Sequence, residues 1–300
     1  MAGIAITGAR GYIGRHLVAR LVAEGVRPRC LIRPGSDLAG IPAEQIEVLR
    51  GDVTDARSLP ALVEGADFVV HAASIVANVK QAGRDMYRRT NEEGTANLVD
   101  AARAAGVRRF VYLGGMSTVP GAPGSYMRTR FEAEQRVKDG HVPYAILQPS
   151  ILFGGGSPFF GALAGLARVA PVLPVPGNGK MRFQPIWVED VVTCIERLLV
   201  EGQADETVPV GGPAAYSYDR LLDLLVKALG KRRLKLHMPL AIMRAGAQAM
   251  QAVLPRPPVT LATLELFALG IDNVTRLDSV ASRFGFEPRS LEENLQARDL

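Results

Sequence analysis

The stretch that decides the fold is Gly3-Ile-Ala-Ile-Thr-Gly8-Ala-Arg-Gly11-Tyr-Ile-Gly14-Arg-His-Leu17. An apolar run (Ile4, Ala5, Ile6) ends in Thr7, three glycines follow at intervals of three, and a helical pattern begins at Ile13. This order predicts a strand, a tight turn and a helix N-terminus. Gly8 permits the turn, Gly11 lets a diphosphate approach the backbone, and Gly14 lets helix and strand pack closely. Free N–H groups at the helix start, reinforced by its dipole, then hold the diphosphate. A glycine triplet alone is a weak signal. One that follows a strand and opens a helix predicts a dinucleotide site, with Thr7, Arg10, Tyr12 and Ile13 in the same loop.

Working outward, Arg29-Cys-Leu-Ile32 reads as a second strand ending at Arg33-Pro34-Gly35-Ser36. A dinucleotide fold places the residue that reads the adenosine ribose here. An acid would bind the ribose 2′-hydroxyl and repel a 2′-phosphate, whereas Arg33 offers a fork matched to phosphate oxygens, with Arg10 as a second cation. NADP(H) is therefore expected ahead of NAD(H); the alternative is that Arg33 is only a turn residue. A third strand, Ile46–Arg50, leads to Asp52 and Val53, expected beside the adenine, although Asp52 also suits a helix cap. A fourth ends at His71, followed by Ala72, Ala73 and Ser74, whose small side chains admit a cofactor. His71 has no acid or nucleophile visibly paired with it, so it reads as a packed strand-end residue.

Strand and helix continue to alternate. A helix from Asn91 to about Ala105 precedes a strand at Val107–Leu113, then Gly114-Gly115-Met116-Ser117, a Pro/Gly-rich loop, and a helix opening at Tyr126. Pro143–Gln148 is a sixth strand, leading into Pro149-Ser150. The alternation predicts an α/β fold with a doubly wound parallel sheet and a smaller C-terminal α/β domain. The expected division gives 1–155 and 183–206 to the nucleotide-binding domain, and 156–182 and 207–300 to the smaller one. Within the latter, Phe159–Val169 and Pro239–Leu254 read as apolar helices, and the extended piece at Phe183–Val191 is expected to return to the main sheet.

The composition fits one such molecule: 300 residues, 48% hydrophobic, with a net charge of +5. The arginines are scattered, the one dense cluster being Lys231-Arg232-Arg233 with Lys235, so a nucleic-acid partner is not expected. Cys30 and Cys194 lie in apolar runs and read as buried thiols of a reducing compartment. With no signal segment ahead of the first strand, the expectation is a cytoplasmic protein. The four histidines lie far apart without ligand spacing, so no metal site is expected.

With the glycine loop, Asp52-Val53, Asn91 and Tyr126 in hand, the chain resembles the short-chain dehydrogenase/reductase superfamily in its extended or atypical, epimerase/dehydratase-like form. The resemblance covers essentially the whole chain. Val210-Gly-Gly-Pro213, Ser217-Tyr-Asp, Val253-Leu-Pro255, Pro258-Val-Thr260, Gly270-Ile-Asp-Asn-Val274 and Arg283-Phe-Gly-Phe-Glu-Pro288 sharpen it. They resemble the branch containing the nucleotide-binding accessory subunit of respiratory complex I and its free-standing bacterial relatives.

The resemblance implies a proton-transferring tyrosine, a lysine four residues on, and a hydroxyl after the fifth strand that polarises the substrate oxygen. Tyr126 matches. The lysine position carries Arg130, and the hydroxyl position falls on Met116, with Ser117 one residue away. Asn91 is present, and Pro149-Ser150 resembles the nicotinamide-side loop, with Gln148 where an arginine often stands. Arg130 supplies charge one helical turn from Tyr126, but its planar fork does not reproduce an ammonium's contacts.

Two functions follow. One is an NADP(H)-binding protein whose bound dinucleotide is structural or regulatory. The other is an NADP-dependent oxidoreductase, or a nucleotide-sugar epimerase/dehydratase, using Tyr126, Arg130 and Ser117. The substrate is not named by the sequence; the apolar Phe159–Val169 segment hints at an apolar ligand. The apolar helices of the C-terminal half, flanked by basic residues, are expected either to pack into the core or to meet a protein partner or a membrane surface. Arg244 and the short length argue against a span.

Overall fold

The computed structural model describes residues 3–75, 85–122, 124–200, 204–253 and 259–296. Leu254, Pro255 and Pro258, quoted above, lie outside them. In chain order the first six strands are β1 (Ile4–Thr7), β2 (Arg29–Ile32), β3 (Glu47–Arg50), β4 (Phe68–His71), β5 (Arg109–Leu113) and β6 (Tyr144–Pro149). The helices among them are α1 (Tyr12–Ala23), α2 (Pro60–Val63), α3 (Gly94–Ala104) and α4 (Ser125–Lys138). Short strands β7 (Leu152–Phe153), β8 (Val172–Pro176), β9 (Arg182–Phe183) and β10 (Ile186–Trp187) follow, with α5 (Pro158–Val169) and α6 (Val188–Val200). The last part holds β11 (Glu206–Val210), β12 (Tyr216–Ser217), β13 (Leu234–Met238), α7 (Tyr218–Ala228), α8 (Leu240–Val253), α9 (Leu261–Leu269), α10 (Ser279–Phe284) and α11 (Leu291–Gln296).

Seven strands form one sheet in the order β3-β2-β1-β4-β5-β6-β11, every pair parallel. Strands buried on both faces need layers on both sides, and the core divides accordingly. Leu17 and Leu21 of α1, Val191 and Ile195 of α6 and Phe284 of α10 cover one face. Leu62 of α2, Leu98 of α3 and Val137 of α4 cover the other. Each fully buried leucine in these layers contributes about 2 kcal/mol. The strand order reverses between β1 and β4, which opens a crevice at their carboxyl ends. The glycine loop leaves β1 at that crevice.

Two local outcomes differ from expectation. The piece at Phe183–Val191 does not rejoin the main sheet: β9 pairs antiparallel with β12, and β10 pairs with β7. Pro185 interrupts it without an N–H for a ladder, and the place beside β6 is taken by β11. That strand, assigned from sequence to the smaller domain, extends the large sheet instead. The helix expected from Asn91 starts earlier, as a π-turn over Arg88–Glu93, before passing into α3.

A second core of Phe160, Leu173, Phe183, Leu222 and Leu291 holds α5, α7, β8 and α11 together. The α8–α9 hairpin packs Met243 and Ala247 on Leu264. An apolar cleft lined by Phe159, Leu163, Leu166, Met243, Leu264 and Phe267 runs between α5 and this hairpin. Among the described residues no helix is long and apolar enough to cross a membrane.

Candidate functional site

The cradle is built by absent side chains. Gly8 has φ +75°, and a Cβ there would lie 2.5 Å from the Ala72 carbonyl. At Gly14 a Cβ would lie 2.1 Å from the Gly8 oxygen, so α1 seats directly on the turn. Gly11 donates its N–H to the Gly8 oxygen at 2.8 Å. It is also the N-cap of α1, with no side-chain cap and no acid in the first turn. An uncapped helix start without an acid is the arrangement an anionic diphosphate requires. These features fit a dinucleotide. Tyr12 reaches across to donate its hydroxyl to the Gly154 oxygen at 3.1 Å, and Ile13 packs toward the core.

At the end of β2, Arg33 is exposed. Arg50, its neighbour on β3, donates to the Ser36 oxygen at 2.8 Å. Arg10 pairs with Asp37 at 2.6 Å, while its Nε is buried with no partner. Asp52 is occupied locally, one oxygen accepting from the Thr54 N–H and hydroxyl at 2.9 Å. Val53 is buried against Gly94, where a Cβ would lie 2.7 Å from its methyl. Asn97 donates to the Val53 oxygen at 3.0 Å, tying α3 to this loop.

Beneath the turn, His71 stands fully buried between Thr7 and Thr95. Its Nδ1 is 2.6 Å from the Thr7 hydroxyl and its Nε2 2.9 Å from the Thr95 hydroxyl. Thr95 spends its own proton on the Asn91 oxygen. His71 must therefore donate from Nε2, and Nδ1 accepts from Thr7. Burial, then the charge of Arg130, drops its pKa to about 3, so the ring is neutral. Buried Asn91 clamps the loop after β4, accepting from the Ile75 N–H at 2.8 Å and donating to its oxygen at 3.3 Å. Ala72 and Ala73 lie in that loop, the Ala72 N–H bonded to the Thr7 oxygen at 3.1 Å.

Tyr126 and Arg130 share a face of α4, with the guanidinium carbon 6.0 Å from the tyrosine ring centroid. Arg130 is buried and donates to the Ser74 hydroxyl and the Leu113 oxygen, each at 3.2 Å. Burial works against its charge, but Tyr126, Tyr112 and Glu134 outweigh that, and its pKa is raised. Ser117 has φ +68°, a left-handed conformation that a serine adopts at a cost of roughly 1–3 kcal/mol. Its hydroxyl oxygen accepts from Asn273 Nδ2 at 3.1 Å. Asn273 in turn accepts from the buried Ser150 hydroxyl at 2.6 Å, so that hydroxyl is committed inside the protein. The Pro149 oxygen accepts from the Met116 N–H at 3.2 Å, and the Met116 side chain is buried.

Sequence reasoning missed Asn273 as the partner of Ser117, Ser74 as the partner of Arg130, and buried Glu134 with its half-buried partners Gln148 and Thr118 beside Gly114. Glu134 accepts from Gln148 at 2.8 Å and from Thr118 at 3.0 Å, and a Cβ at Gly114 would lie 2.6 Å from it. Burial raises its pKa, with Gln148 and Arg130 opposing. Its spacing was the available signal: four residues beyond Arg130 and eight beyond Tyr126 places it on their face of the helix.

The chain matches the NAD(P)H-binding family over residues 8–158. It is 33% identical to a ceramide reductase of Caulobacter vibrioides over 187 residues, 62% of this chain and 57% of that protein's own length. It is 28% identical to a 3 beta-hydroxysteroid dehydrogenase/Delta 5→4-isomerase of Mycobacterium tuberculosis, covering 95% of this chain and 86% of that protein. To the mitochondrial NADH dehydrogenase 1 alpha subcomplex subunit 9 of Arabidopsis thaliana it is 22% identical, over 94% of this chain and 72% of the other. A UDP-glucuronic acid 4-epimerase of Bacillus cereus, solved with UDP-glucuronic acid and NAD, superposes with a TM-score of 0.74 at 19% identity, covering 98% and 97% of the two chains. That likeness concerns the fold.

Proposed function

Because the chain belongs to the NAD(P)H-binding family, in the extended short-chain dehydrogenase/reductase group, we propose that it is an NADP(H)-dependent oxidoreductase acting on an apolar carbonyl or alcohol. The observation that carries this reading is Ser117. A serine held at φ +68°, with its oxygen fixed by Asn273 Nδ2, keeps its own proton for an oxygen in the crevice. Backbone strain of this kind persists where function needs the geometry.

The glycine cradle and the α1 N-terminus hold the diphosphate, and Arg33, with Arg50 beside it, receives the 2′-phosphate. When bound, the dinucleotide supplies or takes up the hydride at the substrate carbon. Ser117 donates to the substrate oxygen, and Tyr126 gives or takes the proton there. Arg130, one helical turn from Tyr126, sets the loop after β4 through Ser74. The apolar cleft and the names of the reductase and steroid dehydrogenase relatives support an apolar substrate.

A second reading rests on Arg130. One N–H of each terminal nitrogen goes to Ser74 and Leu113, which supports a bracing role rather than a copy of the family's lysine. This supports a protein in which the dinucleotide is structural or regulatory, and the subunit 9 likeness is in keeping with it. Substituting Tyr126→Phe separates the two. An oxidoreductase loses about 10²–10⁴-fold in turnover with NADPH affinity unchanged. A binding protein keeps its activity in the cell with Tyr126→Phe and loses it with Gly14→Val.

The C-terminal part also carries a surface suited to an anionic membrane interface. Val169 is 80% exposed, and Leu234 and Leu236, on one face of β13, are 72% and 52% exposed; Ile242 of α8 is 54% exposed. Arg168 adjoins Val169 in sequence, and Lys231 and Arg232 closely precede Leu234. None of the three has a carboxylate partner among the described residues. Exposed aliphatic side chains near cations suit anionic headgroups, which supports a protein peripheral to a membrane.

A further inference from the structure

The helix that carries Tyr126 does not cap itself. Its N-cap position is Gly124, with no side chain to accept from the first turn, and that turn contains no acid. Arg128 puts a cation at the positive end of the dipole, which is unfavourable. The missing acceptor comes from 138 residues away in sequence: the Met127 N–H donates to Glu265 Oε2 at 3.0 Å.

Several features keep that carboxylate in place. Gly124 has φ +138°, and a Cβ on it would lie 2.2 Å from the Glu265 carboxyl carbon, so only glycine leaves room. Helix α9, which presents Glu265, is itself firmly ended: Thr260 accepts from the Thr263 N–H at 3.1 Å, and Gly270 closes it with φ +63°. The carboxylate is half-buried. Burial raises its pKa, while the backbone N–H groups of Met127 and Tyr126, then Arg128 and Arg244, favour its charge. Tyr87 packs on the Tyr126 ring at 5.5 Å and completes the surroundings.

We propose that Glu265 is the positioning residue for Tyr126. Its carboxylate, carried by the C-terminal hairpin, is the cap that fixes the first turn of α4 and with it the tyrosine hydroxyl. The assignment rests on Tyr126 being the acid–base group, but its test does not require turnover.

The full-length protein with NADP bound is compared with Glu265→Ala and Glu265→Gln. Two readouts are taken: amide hydrogen exchange at Tyr126 and Met127, and the resonance of Cζ-labelled tyrosine, assigned with Tyr126→Phe. Glu265→Ala is expected to speed exchange at these amides about fivefold or more, as loss of a helix cap does, and to shift or broaden the Tyr126 signal. Glu265→Gln, which keeps a carbonyl acceptor, is expected to recover most of both. Exchange at the α1 amides stays unchanged. Unaltered exchange in Glu265→Ala overturns the cap. Faster exchange with an unmoved Tyr126 signal overturns the positioning role, leaving a purely structural contact. If both effects appear while Tyr126→Phe keeps full turnover, the positioning stands and the acid–base reading of Tyr126 fails.

Discussion

Thr7 and His71 face each other as register partners in β1 and β4, and their side chains meet at 2.6 Å. The pair ties the floor of the glycine loop to the strand that leads to Asn91's clamp. It also gives His71 a role in which both ring nitrogens are used, leaving none for proton transfer in the crevice.

That role makes His71 a liability in acid. Its pKa falls from 6.5 to about 3 in the fold, chiefly through burial. Between those values the unfolded chain binds a proton that native His71 refuses, so stability is lost as pH drops. Asp190, raised to about 6 by burial, acts with the opposite sign, as does Glu134. Both are also present in His71→Asn, so comparing the two proteins isolates the histidine. In urea titrations the wild type's advantage over His71→Asn should shrink below pH 6.5 by up to about 1.4 kcal/mol per pH unit. A gap independent of pH would show that the ring is charged or exposed.

Arg33 is expected to select the cofactor. Calorimetric titration of Arg33→Asp should show NADPH binding weakened about 10–100-fold, each tenfold being about 1.4 kcal/mol. NADH affinity should hold or improve. Equal affinities for NADPH and NADH in the unaltered protein would remove the 2′-phosphate from the account of this end of β2.

Arg130→Lys restores the superfamily's residue and should still cost stability. The guanidinium spans the Ser74 hydroxyl and the Leu113 oxygen, and a single ammonium does not reach both. Chemical denaturation should show a loss of about 1–3 kcal/mol, with NADPH affinity nearly retained. A variant as stable as the parent would mean that the fork is not a brace. Adding Met116→Ser then asks whether carbonyl reduction rises once the family's full set is present.

The exposed face of β13 should recognise charge and apolarity together. Flotation with vesicles containing phosphatidylglycerol should carry the protein, and phosphatidylcholine vesicles should not. Leu234→Ser with Leu236→Ser, and separately Lys231→Glu with Arg232→Glu, should each abolish binding while leaving NADPH affinity intact. Partition that ignores both pairs, or a dimer dissolved by them, would assign this face to something other than lipid.

The nucleotide half was legible because its signals are local. Ile4–Thr7 followed by Gly8, Gly11 and Gly14 needs only adjacent residues to specify strand, turn and helix. Asn91 and Tyr126 could be placed by the family pattern, although the clamp on Ile75 is visible only in the fold. The site's supports were not legible. Asn273 reaches Ser117 across 156 residues, and no periodicity links them. Residues 207–210 were expected in the smaller domain and instead extend the large sheet, because alternation does not specify a strand's neighbour. Helix α8 was recognisable as apolar. Which of its residues stay outside depended on how Met243 and Ala247 meet α9.

Asn273 also imposes an order on the molecule's making. A chain emerging from the ribosome has the glycine loop, β1 to β6 and Tyr126 in hand long before residue 273 appears. Until then Ser117 and Ser150 have no amide to hold them. The last residues made therefore complete both the Ser117–Asn273–Ser150 chain and, through α10, the layer over one face of the sheet, so the two are finished together.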